Sequence, residues 1–359
     1  MPKKPVTLKD LAAAAGLSPA SISMILNRRS LSRFNQNTVE KVFALAGETG
    51  YVGCRGRTFF LPKLRERLIL VVCPSLANPF YTSLIQGIEM AAHKAGYVTS
   101  LRTTYWDPEA EDAIIEQAQK FQAAGIIFTM LPQQAESAYE LNRQIPVVTI
   151  GDRQDGWDLT TVDMNNFVAG QILARHLLEL GHRQVAYLST TLDKHAPRLR
   201  RLQGLKTALA LGGAECTVLT KEIQPDYELA HTDTEFTSGF ELANECLDQY
   251  PHITALVGIN DMLAYGAYDA ALNRGLSVPE DISVCGFDNI LPSRLRSVGL
   301  TTVDNSLIEC GKSSFTLLKE EIDSYKQRGS FDSITHVEYK CRLVMRTSTG
   351  PARKSPEPC

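Results

Sequence analysis

No cysteine in this 359-residue chain has a partner at C-x-x-C spacing; the eight stand singly at 54, 73, 216, 246, 285, 310, 341 and 359. That scatter excludes knuckles for structural zinc and offers no disulfide framework, so a reduced, cytoplasmic chain is expected. No apolar run approaches the ~20 residues of a membrane span, and no membrane partner is expected. The opening MPKKPVTLKD is basic but lacks the apolar core of a secretory leader. A G-x-S-x-G elbow and an H-E-x-x-H helix are also missing, and the histidines at 93, 176, 182, 195, 231, 252 and 336 form no metal spacing. Where a glycine-rich phosphate loop would follow the first expected strand, the chain reads CPSLANPF. Catalysis finds no support, and neither a cofactor nor a metal is expected.

What is present is apolar content sufficient for real cores, in a length that suits two or three domains. The net charge of −3 hides a segregation: residues 1–67 hold twelve Lys and Arg against four acids, a surplus of eight, which leaves about −11 for the rest. A solvated basic surface would explain this blandly. A basic end steered toward phosphate explains it better if a DNA-reading element lies there.

Thr7 to Asn27, TLKDLAAAAGLSPASISMILN, supplies one. Thr7 and Asp10 stand at capping-box spacing, followed by Leu8, Leu11 and Ala12 at helical intervals. Ala15-Gly16-Leu17 turns the chain, glycine tolerating the backbone angles that end a helix. Ser18-Pro19 restarts it as N-cap and first helical residue. Ile22, Ile25 and Leu26 give the second helix one apolar face and leave Pro19, Ala20, Ser21, Ser23 and Met24 outward. A plain helical hairpin fits this pattern, as does a helix-turn-helix whose second helix enters the major groove. A third helix is expected over about 37–49, with Val39, Val42, Phe43 and Ala46 inward and Gly50 closing it.

The pattern T-L-K-D-L-A-x-x-A-G-L-S-x-x-x-I-S-x-I-L-N resembles the N-terminal headpiece of the lactose-repressor (LacI/GalR) family of bacterial transcription regulators. The resemblance implies phosphate-anchoring roles for Thr7, Ser18, Ser21, Ser23 and Asn27, with Arg28, Arg29 and Arg33 close by. It places base reading at Pro19, Ala20 and Met24. None of these makes the bidentate hydrogen bonds that distinguish bases, although Ala20 and Met24 suit contact with a thymine methyl. Tyr51, at the exit of the headpiece, is grouped with the DNA-facing residues. The linker also departs from the family, which has a hinge helix with an Ala-Arg pair and a leucine wedge. This chain has Arg55-Gly56-Arg57 and then Phe59, Phe60 and Leu61. Two glycines weaken a helix. Arg55 and Arg57 suit a narrow minor groove with Phe60 or Leu61 as wedge, and a flexible basic linker fits equally well.

From Leu68 the pattern becomes strand and helix in alternation. Strands are expected at 68–73, 97–101, 125–129, 146–150, 184–188, 254–259 and 282–286, short and β-branched as in parallel sheets buried on both faces. Amphipathic helices are expected at 79–95, 108–124, 167–180, 199–211 and 262–274. This is a doubly wound α/β chain, with ligand chemistry at the carboxyl ends of strands.

NPFY, LGHR, Arg201-x-x-Gly204, IND, VPEDISVCGFD and LTTVDNS resemble the effector domain of the same family. That likeness implies an all-α headpiece (1–52), a hinge (53–67), and two Rossmann-like lobes of periplasmic-binding-protein type (68–345). One lobe would hold about 68–162 and 290–320. The other would hold about 163–289 and the last strand near 334–345. Residues 346–359, without an apolar heptad, are expected to be a flexible tail.

A pocket for a sugar or nucleoside needs a stacking face and charged groups for bidentate hydrogen bonds. Phe80 is the stacking candidate, competing with an ordinary apolar role at a helix start. Arg201 and Asp261 match the family's effector-contacting arginine and aspartate, and Asp152 follows a strand end. Asp163, Asn165, Trp106 and Asp288 are placed to line or support the cleft. The expected partners are a double-stranded operator, a small effector and a second copy of the chain. A solute-binding protein with a vestigial headpiece is the rival, and an enzyme on the doubly wound fold is a distant third.

Overall fold

The computed structural model describes residues 6–27, 33–49, 51, 67–152, 156, 158–192, 196–223, 231–329 and 333–353. The first unit is three helices: α1 (Leu8–Ala15), α2 (Pro19–Leu26) and α3 (Gln36–Glu48). The capping box forms as the spacing suggested. Asp10 N donates to Thr7 Oγ1 at 3.3 Å, and Thr7 N donates to Asp10 Oδ2 at 2.8 Å. Gly16 ends α1 with φ 71°, and Ser18 Oγ accepts from Ser21 N ahead of Pro19 at the first helical position. Leu11, Ile22, Ile25, Val42 and Phe43 form a core of their own. The third helix starts one residue earlier than expected, and Val39 is only partly buried in that core. Gly50, expected to close it, lies outside the described residues.

Two six-stranded sheets follow. The first orders its strands β11-β5-β4-β3-β1-β2, the second β12-β10-β9-β8-β6-β7. In the first lobe lie β1 (Leu68–Cys73), α4 (Pro79–Lys94), β2 (Val98–Thr103), α5 (Pro108–Phe121), β3 (Gly125–Phe128), α6 (Ala135–Asn142), β4 (Val147–Ile150) and β5 (Thr160–Asp163). The second holds α7 (Asn166–Glu179), β6 (Gln184–Thr190), α8 (Ala196–Leu211), β7 (Glu215–Lys221), α9 (Thr234–Gln249), β8 (Ala255–Gly258), α10 (Asp261–Asn273), β9 (Ser283–Phe287) and β10 (Thr301–Asp304). The chain then returns as α11 (Leu307–Arg328) and β11 (His336–Glu338) before crossing once more to β12 (Arg342–Val344). The pairings are parallel except that of β10 with β12. Inner strands such as β3 and β8 are buried along their length, but β2 and β7 are half-exposed edges. The expectation of strands buried on both faces therefore fails at the edges, where one flank has no neighbour.

The division between lobes also needs correcting. Residues 290–304 end in β10 and belong to the second sheet, so the second crossing falls after Asp304 rather than before 290. The final strand is two strands: β11 joins β5 in the first sheet and β12 joins β10 in the second.

Three helix pairs pack through reciprocal glycines. A methyl group on Gly87 of α4 would overlap the backbone of Ile308, and one on Gly311 of α11 that of Leu84. Gly170 and Gly204 do the same for α7 and α8, as do Gly239 and Gly266 for α9 and α10. This close approach places Arg201, one turn before Gly204, against the start of α7.

The segment after Val344 is not a free tail up to Arg353. Ser348 Oγ donates to Val284 O at 2.6 Å, His182 Nε2 lies 3.1 Å from Gly350 O, and Ala352 N donates to Leu180 O at 2.8 Å. These backbone partners explain the ordering without any heptad.

Candidate functional site

The two lobes enclose a cleft of about 470 Å³, within the usual range for small-molecule sites. Its first wall is apolar and comes from the first lobe: Phe80 at the start of α4, Met130 and Leu131 after β3, Ile150 at the end of β4 and Met164 at the first crossing. The opposite wall is polar and comes from the second lobe: Arg198 and Arg201 of α8, Glu235 of α9, Asn260 before α10 and Asp288 after β9. Both sets lie at the carboxyl ends of strands or in the turns after them, where parallel sheets place ligands.

Arg201 is nine-tenths buried and makes three hydrogen bonds within the protein. Its Nε and Nη2 both donate to Asn166 Oδ1, at 2.9 and 2.7 Å, and Nη1 donates to Ile259 O. Its guanidinium lies 4.5 Å from the Phe287 ring centroid and 3.7 Å from Asp288 Oδ1. Burial pushes the Asp288 carboxyl well above the ordinary range, with the Arg201 charge opposing the shift.

Two contacts tie the lobes together across the cleft. Asn78, N-cap of α4, donates from Nδ2 to Glu235 Oε2 at 2.7 Å. Arg198 lies over the Trp106 ring at 5.8 Å. Tyr105 and Trp106 both adopt left-handed φ, 51° and 60°, a costly conformation for non-glycine residues that aims the turn after β2 at the second lobe. Glu235 Oε1 also accepts from Asn260 Nδ2 at 2.8 Å and lies 3.4 Å from Arg198 Nη2.

Of the residues singled out in the sequence, Phe80, Arg201, Trp106 and Asp288 line the cleft. Asp261 does not. It is fully buried and turned inward, accepting from Ile290 N (3.1 Å), Ser293 Oγ (2.5 Å) and Thr302 Oγ1 (2.6 Å). The helix twist explains this: Asn260 is the extended N-cap of α10, and one residue on the side chain has rotated away from the cleft. Burial raises the Asp261 carboxyl to about 7 despite those three donors. Asp152 is likewise buried beside the cleft; its Oδ1 accepts from Asn166 Nδ2 at 2.6 Å, and Asn166 in turn holds Arg201. Burial raises it to about 6. Asp163 and Asn165 form the turn of the first crossing. Glu235, Arg198, Asn78, Asn260 and Asn166 also line the cleft and were missed in the sequence. Asn78 and Asn260 lay inside quoted motifs, whereas Glu235 belongs to no motif and is brought in by the tertiary fold.

At the other end of the chain, Pro19, Ala20 and Asn27 are exposed, Ser21, Ser23 and Met24 half-buried, and Thr7 and Ser18 exposed at helix starts. Tyr51 is a correction. It is 8% exposed and packed in the headpiece core, where its N–H donates to Ala46 O at 3.0 Å. Arg28, Arg55, Arg57 and Phe60 lie outside the described residues.

A clamp of two α/β lobes around a ligand-sized cleft, preceded by a helix-turn-helix with an exposed second helix, is the architecture of a ligand-responsive DNA-binding regulator. Residues 66–345 match the family described as periplasmic binding proteins and sugar binding domain of LacI family. The chain belongs to that family. It is 29% identical over 355 residues to the HTH-type transcriptional regulator DegA of Bacillus subtilis (strain 168), covering 96% of this chain and 98% of that protein. It is also 29% identical over 347 residues to the HTH-type transcriptional repressor CytR of Escherichia coli (strain K12), covering 96% of each. A solved LacI family transcriptional regulator from Enterococcus faecium, with bound ribose, shares the fold at a TM-score of 0.67 and 24% identity, over 80% of this chain and 100% of that one.

Proposed function

We propose that this protein is a homodimeric, cytoplasmic repressor without enzymatic activity, whose operator affinity is set by a small molecule of the sugar class bound between the lobes. The observation that carries the reading is the Asn78–Glu235 hydrogen bond, which joins the two lobes at the lining of the cleft. A ligand that favours one lobe arrangement shifts the population toward it and so changes the presentation of the headpieces. Two-fold dimers on near-palindromic sites suit helix-turn-helix geometry. The bound ribose of the Enterococcus relative supports a sugar effector.

Thr7, Ser18, Ser21, Ser23 and Asn27 are assigned to phosphates and Pro19, Ala20 and Met24 to base edges. Arg28, Arg55, Arg57 and Phe60 are assigned to the backbone and minor groove. Phe80 and Arg201 are assigned to the effector, joined by Asp288 and Glu235. The rival, a solute-binding protein with a vestigial headpiece, is disfavoured by the intact capping box and the separate headpiece core. Selecting operators from a random duplex library with the intact protein, then titrating them with and without sugars, tests the proposal. A chain that enriches no sequence would refute it.

A further inference from the structure

Glu111 and Asp261 are the two charged side chains with no exposed surface among the described residues. Asp261 is accounted for by its three donors. Glu111 stands one turn into α5, where its N–H donates to Asp107 O at 3.1 Å, and Asp107 N in turn donates to Thr104 O at 2.9 Å. Its backbone is thereby tied to the turn that carries Trp106 into the cleft. Its side chain reaches elsewhere: Oε1 accepts from Gln134 N at 2.8 Å. Gln134 is the N-cap of α6, and its own side chain makes no cap hydrogen bond. A helix start leaves N–H groups without intrahelical partners and favours a negative charge beside them. A carboxylate from α5 thus does for α6 what its own N-cap residue does not.

The capped turn belongs to the cleft. Between β3 and α6 the chain supplies Thr129, Met130, Leu131, Pro132 and Gln133 to the lining, and Ala135 follows at the first position of α6. That loop is anchored at both ends. Thr129 donates from N and Oγ1 to Val72 O, at 2.8 and 3.0 Å, and Gln134 N donates to Glu111. Glu111 itself does not line the cleft. Burial raises its carboxyl above the ordinary range, the N–H groups of Gln134 and Gln133 oppose the shift, and Asp112 adds to it. A carboxylate in so dry a place is costly unless hydrogen bonds offset the lost hydration, and here they come from the loop. From the two anchors we infer that Glu111 is a positioning residue of the cleft: without touching a bound molecule, it fixes the loop that forms much of the first-lobe wall. This role rests on the effector reading above and names the residue that sets the shape of the effector's apolar wall.

The test compares the intact wild type with Glu111→Gln, Glu111→Ala and Glu321→Ala, the last removing a buried carboxyl hydrogen-bonded to Thr160 elsewhere in the same lobe. Two signals are read: peptide-resolved hydrogen exchange, and Trp106 emission with the other tryptophan removed as Trp157→Phe. Trp106 packs on the same cluster as Leu131 and Ala135, so its emission follows the loop. In Glu111→Ala, segment 129–137 exchanges roughly tenfold faster than in the wild type while β1 and β4 keep their rates, and Trp106 emission shifts. Glu111→Gln keeps an acceptor oxygen for Gln134 N and brings exchange back to within about threefold of the wild type. Glu321→Ala lowers the melting temperature and leaves both signals unchanged. If Glu111→Ala does not fold, Glu111→Asp, whose carboxylate falls a methylene short of Gln134, carries the same expectation. Wild-type exchange over 129–137 in Glu111→Ala overturns the inference, as does acceleration spread evenly over the first lobe, or a Glu111→Gln protein as loose as Glu111→Ala. Operator selection decides the regulator reading separately. A wild type that enriches no operator, with a loop that still loosens in Glu111→Ala, removes the regulator and leaves Glu111 in its role.

Discussion

Asn165 and Ser306 occupy the same place in two hinges. Each follows a strand reading Thr-Thr-Val-Asp by two residues, and each has left-handed backbone, φ 36° and 52°. Each also donates its N–H to that aspartate's Oδ1, Asn165 to Asp163 at 2.7 Å and Ser306 to Asp304 at 2.9 Å. The third crossing is tied to the other two: Tyr339 N donates to Asp163 O at 2.9 Å, and Arg342 Nη2 to Asp304 Oδ2 at 2.8 Å.

The two hinge residues differ in one respect that sets opposite mutational signs. Asn165 Oδ1 caps α7 by accepting from Val168 N at 3.1 Å, whereas the Ser306 side chain makes no cap hydrogen bond. Ser306→Gly relieves left-handed strain and changes stability by about +0.5 kcal/mol, while Asn165→Ala loses the cap, keeps the strained backbone and costs about 1 kcal/mol. Urea denaturation of the two variants measures both. Equal signs would contradict the assignment of Asn165 as a cap.

Asp261 is a structural acceptor, so Asp261→Ala acts on folding. Leaving Ile290 N, Ser293 Oγ and Thr302 Oγ1 without their shared acceptor costs about 3 kcal/mol, and Asp261→Asn costs less because it keeps the shape. Thermal unfolding alongside effector titration separates the roles. The melting temperature falls, while the affinity of the protein that remains folded changes by less than about threefold.

This residue also shows how much the sequence revealed. The alternating strand and helix pattern disclosed the doubly wound plan, and Thr7-Asp10 and Ser18-Pro19 disclosed the headpiece, because caps and periodicity are local. Phe80 and Arg201 were legible through their motifs. Asp261 was misplaced by one residue of helix rotation, which no motif encodes. Glu235 was invisible because its role comes from Asn78, distant in sequence on the opposite lobe. The strands β5, β7 and β10 were passed over because they are short or half-exposed, so their apolar signal is weak. The order of 346–353 depends on backbone hydrogen bonds, to which side-chain composition is blind.

Glu321 on α11 predicts a pH effect. Burial raises its carboxyl to about 7, a hydrogen bond with Thr160 opposes the shift, and its Oε2 has no hydrogen-bond partner among the described residues. Because the folded pKa lies above the unfolded one, its stabilising contribution is fully present below about 4.5 and is lost as pH rises through about 7. Glu321→Gln removes that loss. The variant is more stable than wild type by up to about 3 kcal/mol at pH 8, and the gap closes toward pH 5. Melting temperatures across that range read it directly. A gap that stays constant with pH would show that Glu321 is not the titrating group.

The apolar reading face of α2 predicts specificity through thymine methyls and groove shape. Replacing thymine by uracil at bases facing Ala20 and Met24 lowers affinity roughly fourfold per methyl, consistent with about 0.8 kcal/mol for one buried carbon group. Replacing central A/T steps by G/C lowers affinity further through the minor groove. Anisotropy titrations on a selected operator and its variants provide the values. Indifference to both changes would contradict the account.

The most direct test of the central claim is the operator Kd of the intact protein, measured by anisotropy as a sugar effector is added, for wild type and Asp288→Asn. The account predicts that saturating effector changes the wild-type Kd at least tenfold, and that Asp288→Asn needs at least tenfold more effector to reach the midpoint. The same midpoint in both proteins would place the effector outside the cleft and contradict the account.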